Sequence, residues 1–397
     1  MKKFFSSDPK LLLYGFLIIF FASYGQTFFI SLFNFEIRMF YGLSNGEFGL
    51  LYAISTSVSA FILVSFAKLI DYIDLRTYSL IVSIGLLLAC VGMVVMFNNV
   101  FYLFIVIFML RFFGQGAMTH AGETTMARYF GNNRGKALSV ATFGGMTGVM
   151  FLPYIAINYF KNIEMSQIWF YSSISIIVFI PFIFLALSDQ KTRDNEFDQT
   201  LINDPLNVKL RIRDIVKDKK LYIYLPLSIA SPFISTGLMF HQIYIFDQKG
   251  WSLEMLGNGY ILLGFFSMIG LLIGGPLIDK FHTKRTAITV LAPLLLSLIT
   301  LLLFDNIFFL IIYMSLYGLN MGITTPFIGS LWAEIYGVKS LGTVKALLHA
   351  GIVFASALSP LVFGYLIDWG YGIKSIFTIS IIIIIVSTLL PIYNKLP

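Results

Sequence analysis

The stretch Gly275-Pro-Leu-Ile-Asp279-Lys-Phe-His-Thr-Lys284-Arg285 lies between two long apolar runs, and a related stretch, Ala67-Lys-Leu-Ile-Asp71-Tyr-Ile-Asp74-Leu-Arg76, precedes it by 208 residues. Glycine and proline around these stretches are duplicated as well. Gly and Pro mark positions where the backbone has a special conformation or packing, so we interpret the chain as one backbone plan used twice. The duplicated positions are Gly42 and Gly49, which recur as Gly250 and Gly257, and Gly135, Gly144 and Pro153, which recur as Gly342, Gly351 and Pro360.

The composition predicts a membrane protein. The 397 residues are 58% hydrophobic and 12% charged, whereas a soluble domain carries roughly 25% charged residues. The single cysteine, Cys90, excludes an internal disulfide and a metal site built from several cysteines. We expect no metal and no cofactor.

Twelve apolar runs predict an all-α membrane protein with two pseudo-symmetric halves of six spans each. A charged segment at 189–220 interrupts the runs midway, so we predict a first half at 1–187, a linker at 188–220 and a second half at 221–397. The predicted spans are 11–35, 45–67, 78–97, 100–127, 137–158, 168–187, 221–246, 257–278, 286–304, 307–332, 343–367 and 375–392.

The distribution of basic residues predicts the orientation. Of the 27 lysines and arginines, 22 lie on the side of the N-terminus, four lie on the opposite side and Arg111 lies within a span. Basic residues are enriched in cytoplasmic segments, so both termini are expected in the cytoplasm and the protein in the cytoplasmic membrane. The net charge of +7 then reflects topology rather than nucleic-acid binding.

The two stretches quoted first resemble the signature G-x-x-x-D-(R/K)-x-G-x-(R/K)-(R/K) of the major facilitator superfamily. Ala67 and Asp74 depart from it in the first copy. A carboxylate near a helix end and basic side chains makes charge-assisted contacts that hold one conformation. The alternative is that the basic residues only anchor this loop on the cytoplasmic side of the membrane and that the aspartate has no role. The resemblance implies a conformational latch formed by Asp71, Arg76, Gly275, Asp279, Lys284 and Arg285.

Arg111-Phe-Phe-Gly114-Gln-Gly116 in the fourth span resembles the superfamily pattern R-x-x-x-G-x-G-x-G. Arg111 lies about 20 Å along its span at 1.5 Å per residue, which is the bilayer interior. An intramembrane arginine is costly unless paired and indicates function by default. The resemblance implies a role in proton coupling or in holding an anion. The alternative is a structural arginine bonded to backbone carbonyls or to a neighbouring helix.

Tyr129-Phe130-Gly-Asn-Asn-Arg134-Gly-Lys-Ala137 opens the fifth span and is similar to the Y-F-x-x-x-R-x-x-A signature of the monocarboxylate-porter and oxalate/formate-antiporter branches. The similarity implies a monocarboxylate-like anion as substrate. Small residues permit close helix packing in lipid, so we assign helix packing to the residues that follow. They are Gly135, Gly144, Gly145, Pro153, Gly342, Gly351 and Pro360.

Ionisable and polar residues within the spans are the remaining candidates. His120 and Glu123 lie one turn apart, so they are a possible proton-coupling pair with Arg111; an ion pair at the cytoplasmic end is the alternative. A lone histidine is more often a packing residue than a ligand, and the aromatic residues are assigned to lipid contact. The predicted substrate pathway comprises Arg111, Tyr24, Gln26, Gln115, His241, Tyr244, Asn320, Thr325 and His349.

These observations predict a secondary active transporter that moves a small organic anion by alternating access, with proton coupling as an option. The alternatives are a carrier of a neutral or cationic solute, such as a sugar or an exported drug, a polytopic membrane enzyme, and a non-transporting sensor. The two closest histidines within the spans are 108 residues apart, so no H-E-x-x-H metalloprotease motif exists and an enzyme is not expected. The expected partners are the substrate, a proton and the lipid bilayer, with no nucleic acid, and we expect a monomer.

Overall fold

The structure is a computed structural model that describes residues 2–159, 163–190, 193–194, 212–336 and 341–393. The described residues form helices and connecting turns and no strand. We number the long helices 1 to 12 in chain order. Their bounds are Pro9–Gly25 continued by Thr27–Tyr41, Asn45–Asp71, Leu75–Val95, Val100–Tyr129, Arg134–Asn158, Met165–Ala186, Lys219–Phe240 continued by Gln242–Gln248, Leu253–Thr289, Ala292–Leu303, Ile307–Tyr336, Leu341–Asp368 and Ile373–Tyr393.

Ten of these helices are long and apolar enough to cross a membrane, and helix 1 adds an eleventh if its two parts, bent by 45°, form one span. Helix 9 has 12 residues, fewer than the ~20 needed to cross a bilayer. Large apolar side chains remain exposed on several helices, such as Val178 at 70% and Leu185 at 68%. Lipid is the solvent such surfaces require, so a multi-pass membrane protein is confirmed, whereas twelve spans and cytoplasmic termini stay predictions.

Side-chain caps explain why several helices begin where they do. Asp8 accepts a hydrogen bond from the Leu11 amide, and Pro9 occupies the first helical position. Asp74, Asn99 and Ser252 cap helices 3, 4 and 8 in the same way. An oxygen acceptor at this position satisfies amide groups that have no partner within the helix, which permits short loops between apolar runs.

The junction of helices 8 and 9 differs from the prediction. The sequence predicts a loop over 279–285, but helix 8 continues through this segment to Thr289, and the chain breaks at Val290 and Leu291 instead. Pro293 then occupies an N-terminal position of helix 9, where its missing amide hydrogen costs nothing. The charged residues of this stretch therefore lie on a helix rather than in a loop.

The chain divides into two compact units, the first comprising Met1–Tyr41 and Ile54–Pro205, the second Gly42–Ala53 and Leu206–Pro397. Residues 42–53 thus belong to the second unit, while helix 2 continues into the first. Most of the predicted linker, at 191–192 and 195–211, lies outside the described residues, so the predicted domain boundaries stay a prediction.

The helices pair in the same order within each unit. In the first unit, helix 1 packs on helix 5 and helix 3 on helix 6; in the second, helix 7 packs on helix 11 and helix 9 on helix 12. The duplicated glycines Gly42 and Gly250 have φ angles of 65° and 68°, a left-handed conformation that favours glycine. Helices 2 and 8 begin three residues later in each case. The repeat in the sequence is therefore a repeat in backbone conformation.

Candidate functional site

Helix 1 is interrupted in its middle by a single extended residue. The helix ends in a 3₁₀ turn at Ser23–Gly25, Gln26 adopts φ −84° and ψ 153°, and a new helix starts at Thr27. A Cβ on Gly25 would lie 2.1 Å from the Leu110 carbonyl oxygen, so only glycine fits this contact. The interruption exposes backbone groups in the middle of a membrane span, where discontinuous helices form many transporter sites.

Helix 4 is irregular at the point where it meets this break. Residues Leu110–Met118 form a π-helical segment, a rare geometry that is frequent at functional sites. A Cβ on Gly114 would lie 2.7 Å from the Gly25 Cα atom. The two backbones therefore touch, and Gly114 of the motif serves this contact, whereas a Cβ on Gly116 would lie 2.9 Å from Leu63.

Arg111 lies inside the first unit and is 1% exposed. Its Nε donates a hydrogen bond to Thr56 Oγ1 at 3.1 Å, and its Nη1 donates to the Gly25 carbonyl oxygen at 3.0 Å and to Thr27 Oγ1 at 3.5 Å. The guanidinium thus donates to the Gly25 carbonyl oxygen, which the helix break leaves without the backbone amide partner that it would have in a continuous helix. The side chain connects helices 1, 2 and 4, which is the geometry expected of an arginine that holds the break in place.

Other predicted pathway residues surround this break. Tyr24 is buried, and its hydroxyl lies 2.8 Å from Ser175 Oγ of helix 6. Gln26 is the extended residue that forms the break. Gln115 lies on the facing turn of helix 4, where its backbone nitrogen would be 2.9 Å from a Cβ on Gly25. The side chains of Gln26 and Gln115 are half-buried, and neither donates a hydrogen bond within the described part of the chain. They are polar groups with capacity to bind a ligand.

His120 and Glu123 follow on the regular helix Thr119–Tyr129. The His120 ring is half-buried and lies 3.4 Å from Thr124 Oγ1, whereas Glu123 is exposed. The two residues are three positions apart on one helical face, as the sequence predicts. Arg128 at the end of this helix pairs with Asp71 of helix 2.

Two of the five predicted pathway residues of the second unit, His241 and Asn320, are buried in contacts within it. His241 is 2% exposed and donates from Nε2 to the Pro360 carbonyl oxygen at 2.9 Å. Asn320 is buried, accepts from Ser231 at 2.7 Å and donates to the Val290 carbonyl oxygen at 2.9 Å. That carbonyl lies at the break before helix 9. Tyr244 is half-buried, and Thr325 and His349 are exposed.

A small enclosed cavity lies among helices 7, 8 and 10 of the second unit. Its volume is 10 Å³, room for about one water molecule, and its polar lining consists of Gln242, Tyr260, Tyr313 and Tyr317. The Tyr260 hydroxyl donates to Gln242, and that of Tyr317 donates to the Ser235 carbonyl oxygen at 2.9 Å. Sequence reasoning assigned the tyrosines to lipid contact and missed this cluster, since no local pattern brings the three together.

The predicted latch residues have separate partners. Asp71 pairs with Arg128, while Arg76 donates to the Leu187 carbonyl oxygen at 2.8 Å. Asp279 is exposed, and a Cβ on Gly275 would meet nothing within 4 Å. The structure does not describe the side chains of Lys284 and Arg285. The latch therefore stays a prediction for both copies.

The predicted packing glycines differ in how closely they are approached. A Cβ on Gly144 would lie 2.0 Å from the Phe16 carbonyl oxygen, and one on Gly145 would lie 3.1 Å from Ile19. A Cβ on Gly351 would meet an atom only at 4.0 Å, and one on Gly135 would meet none within 4 Å. Pro153 and Pro360 lie within helices 5 and 11, and the surroundings of Gly342 lie outside the described residues.

Among the described residues, no group of three or more His, Cys, Asp or Glu side chains is arranged to hold a metal ion. The polar groups at the break of helix 1 are amides, hydroxyls and a guanidinium, and the positive charge of the guanidinium disfavours a bound cation. This chemistry suits recognition of a small polar molecule.

Comparison with known proteins gives two matches to the family model described as Major Facilitator Superfamily, over residues 12–273 and 233–395. The chain is also 30% identical over 147 residues to the uncharacterized MFS-type transporter YttB of Bacillus subtilis (strain 168). That similarity covers 35% of this chain and 37% of the relative. The chain thus spans little more than a third of the length of the curated relative it matches.

Proposed function

Because the chain belongs to the Major Facilitator Superfamily, we propose that it is a secondary active transporter that moves a small solute across the cytoplasmic membrane by alternating access. Family membership supports a transporter rather than an enzyme. The relative's name gives no substrate, so the substrate class is argued from the residues at the break of helix 1.

We propose a small organic anion, such as a monocarboxylate, as the substrate. The observation that carries this proposal is the buried guanidinium of Arg111 beside the break, together with the half-buried Gln26 and Gln115. The side-chain amides of these two glutamines form no hydrogen bond within the described part of the chain. In this proposal the amide NH₂ groups donate to the carboxylate. Arg111 holds the break and contributes a positive field, which acts strongly where water is scarce.

His120 and Glu123 are proposed as the proton-coupling pair. The histidine titrates near neutral pH when unperturbed, and the exposed carboxylate one turn away can exchange its proton with water. Replacement of His120 by glutamine is expected to abolish the response of uptake to a pH gradient while preserving exchange of substrate.

A neutral solute is the competing candidate, and one observation favours it. The Nε and Nη1 groups of Arg111 already donate to Gly25, Thr27 and Thr56. If the guanidinium contributes nothing to binding, the two glutamines would suit a hydroxylated solute equally well.

Uptake into proteoliposomes separates the two candidates. Labelled small carboxylates are expected to accumulate, and unlabelled carboxylates, but not sugars or organic cations, are expected to compete. Replacement of Gln26 or Gln115 by leucine is expected to raise KM about tenfold, which corresponds to one hydrogen bond of ~1.4 kcal/mol. The matched control is Gln167→Leu, a change at an exposed glutamine near the start of helix 6. Equal competition by a sugar would refute the anion proposal.

A further inference from the structure

The Leu-Ile-Asp sequence of the two predicted latch stretches occurs a third time. It ends Ala67-Lys-Leu-Ile-Asp71 and Gly275-Pro-Leu-Ile-Asp279, and it also ends Gly364-Tyr-Leu-Ile-Asp368. The third copy closes helix 11. It contacts the start of helix 2, whereas Asp71 lies at the end of that helix.

Asp368 is bound to the start of helix 2. Its Oδ1 accepts hydrogen bonds from the Asn45 amide and from Asn45 Nδ2, both at 3.1 Å, and its Oδ2 accepts from the Gly46 amide at 2.7 Å. A carboxylate at a helix N-terminus is favoured by the unsatisfied amides and by the helix dipole. This acceptor comes from a helix more than 300 residues away.

The remaining amides at this helix start are satisfied locally. Ser44 Oγ accepts from the Glu47 amide at 3.1 Å, and the Glu47 carboxylate accepts from the Ser44 amide at 2.8 Å. This reciprocal pair is a capping box. The capping box provides acceptors for the amides of Ser44 and Glu47. The first two helical amides, those of Asn45 and Gly46, have Asp368 as their acceptor.

Glycines allow the two helices to touch at this contact. A Cβ on Gly364 would lie 2.5 Å from the Asn45 carbonyl oxygen, and one on Gly49 would lie 2.5 Å from the Pro360 carbonyl oxygen. The contact is largely between backbones, and the Tyr365 ring of helix 11 covers Gly46, where a Cβ would lie 2.5 Å from the ring. Such an interface can separate as a unit once its polar end is released.

We propose that Asp368 is a latch that holds residues 42–53 of the chain against helix 11 and releases them during the transport cycle. Helix 2 then has an aspartate contact at each end. Asp71 binds Arg128 within the first unit, and Asp368 binds the opposite end within the second. Because helix 2 continues from residues 42–53 into the first unit, release at Asp368 frees one end of a helix that both units share.

The test uses Ala53, which is 4% exposed in the docked segment. Cys90 is the single cysteine and is buried, so an Ala53→Cys change in a Cys90→Ala background gives one reporter thiol. Its rate of reaction with a maleimide measures how often the segment undocks. We expect Asp368→Asn to raise this rate at least tenfold, since asparagine has one acceptor oxygen where Asp368 uses two, Oδ1 for Asn45 and Oδ2 for Gly46.

Three controls and one further test variant, Gly364→Ala, accompany the measurement. Asp247→Asn removes an exposed charge elsewhere in the second unit. Gly364→Ala inserts a methyl group into the contact, whereas Gly372→Ala adds one where nothing lies within 4 Å. In protein that retains Cys90 and lacks the reporter, Asp368→Asn must leave Cys90 unreactive, which separates undocking from unfolding.

Faster labelling of Asp368→Asn than of Asp247→Asn supports the latch, and equal rates overturn it. If Asp368→Asn does not yield folded protein, the labelling rates of Gly364→Ala and Gly372→Ala are compared. A faster rate for Gly364→Ala supports the latch, and equal rates overturn it. The inference rests on the proposed transport cycle, but the assay contains no substrate. A negative labelling result, which would refute the latch, is therefore distinguishable from a negative uptake result, which would refute the proposed transport.

Discussion

Replacement of Arg111 by lysine is expected to destabilise the first unit. Lysine keeps the buried charge but presents a single ammonium group that cannot span the positions of Gly25 and Thr56 at once. The contact with Thr27 at 3.5 Å is long and contributes little. The substitution therefore removes about one strong charge-assisted hydrogen bond, worth ~1.5–3 kcal/mol.

The assay is the free energy of unfolding in detergent micelles, compared with Arg134→Lys as the matched control. Arg134 is exposed at the start of helix 5, where an exchange of arginine for lysine should cost little. Thr56→Val supplies a second measurement. It should cost about 1 kcal/mol in the parent protein and much less in the Arg111→Lys background, because the shared bond is already absent. If Arg111→Lys is as stable as Arg134→Lys, Arg111 does not hold the helix break.

Two further predictions concern packing and charge. Gly144→Ala is expected to destabilise the first unit because its Cβ would lie 2.0 Å from the Phe16 carbonyl oxygen, whereas Gly135→Ala, where nothing lies within 4 Å, should be neutral or stabilising in thermal unfolding; equal effects would contradict the packing account. In the second unit, Lys249 binds Asp305 at 2.6 Å and holds the pKa of that carboxyl below its usual value. A carboxyl with a lowered pKa stabilises the fold above its unfolded pKa of about 3.9. The stability difference between the parent and Asp305→Asn should therefore be constant above about pH 5 and shrink as pH falls through the lowered pKa; a difference that grows as pH falls would contradict the ion pair.

Local sequence signals predicted much of the fold. Apolar run length, capping residues and the duplicated glycine spacing depend on neighbours in sequence, and the structure confirms an all-helical membrane protein with matching φ angles at Gly42 and Gly250. The end of helix 8 was predicted wrongly because the charged stretch after Gly275 resembles a loop, yet all its residues are compatible with a helix.

The geometry around Arg111 required the structure. The sequence left open whether this arginine faces a cavity or a helix interface, and its partners Gly25 and Thr56 are 86 and 55 residues away. No proline or charge marks the break at Gln26; its cause is the contact of Gly25 with the backbone of helix 4. Asp368 was missed because its partner amides lie more than 300 residues away, although the third Leu-Ile-Asp sequence was a visible signal.

Carboxylate uptake by proteoliposomes tests the central claim most directly. The protein is expected to transport a labelled small carboxylate saturably, with competition by other carboxylates only and with KM raised about tenfold by Gln115→Leu but not by Gln167→Leu. Uptake that a sugar inhibits as well as a carboxylate does, or that responds equally to the two glutamine substitutions, would contradict an anion site at the break of helix 1.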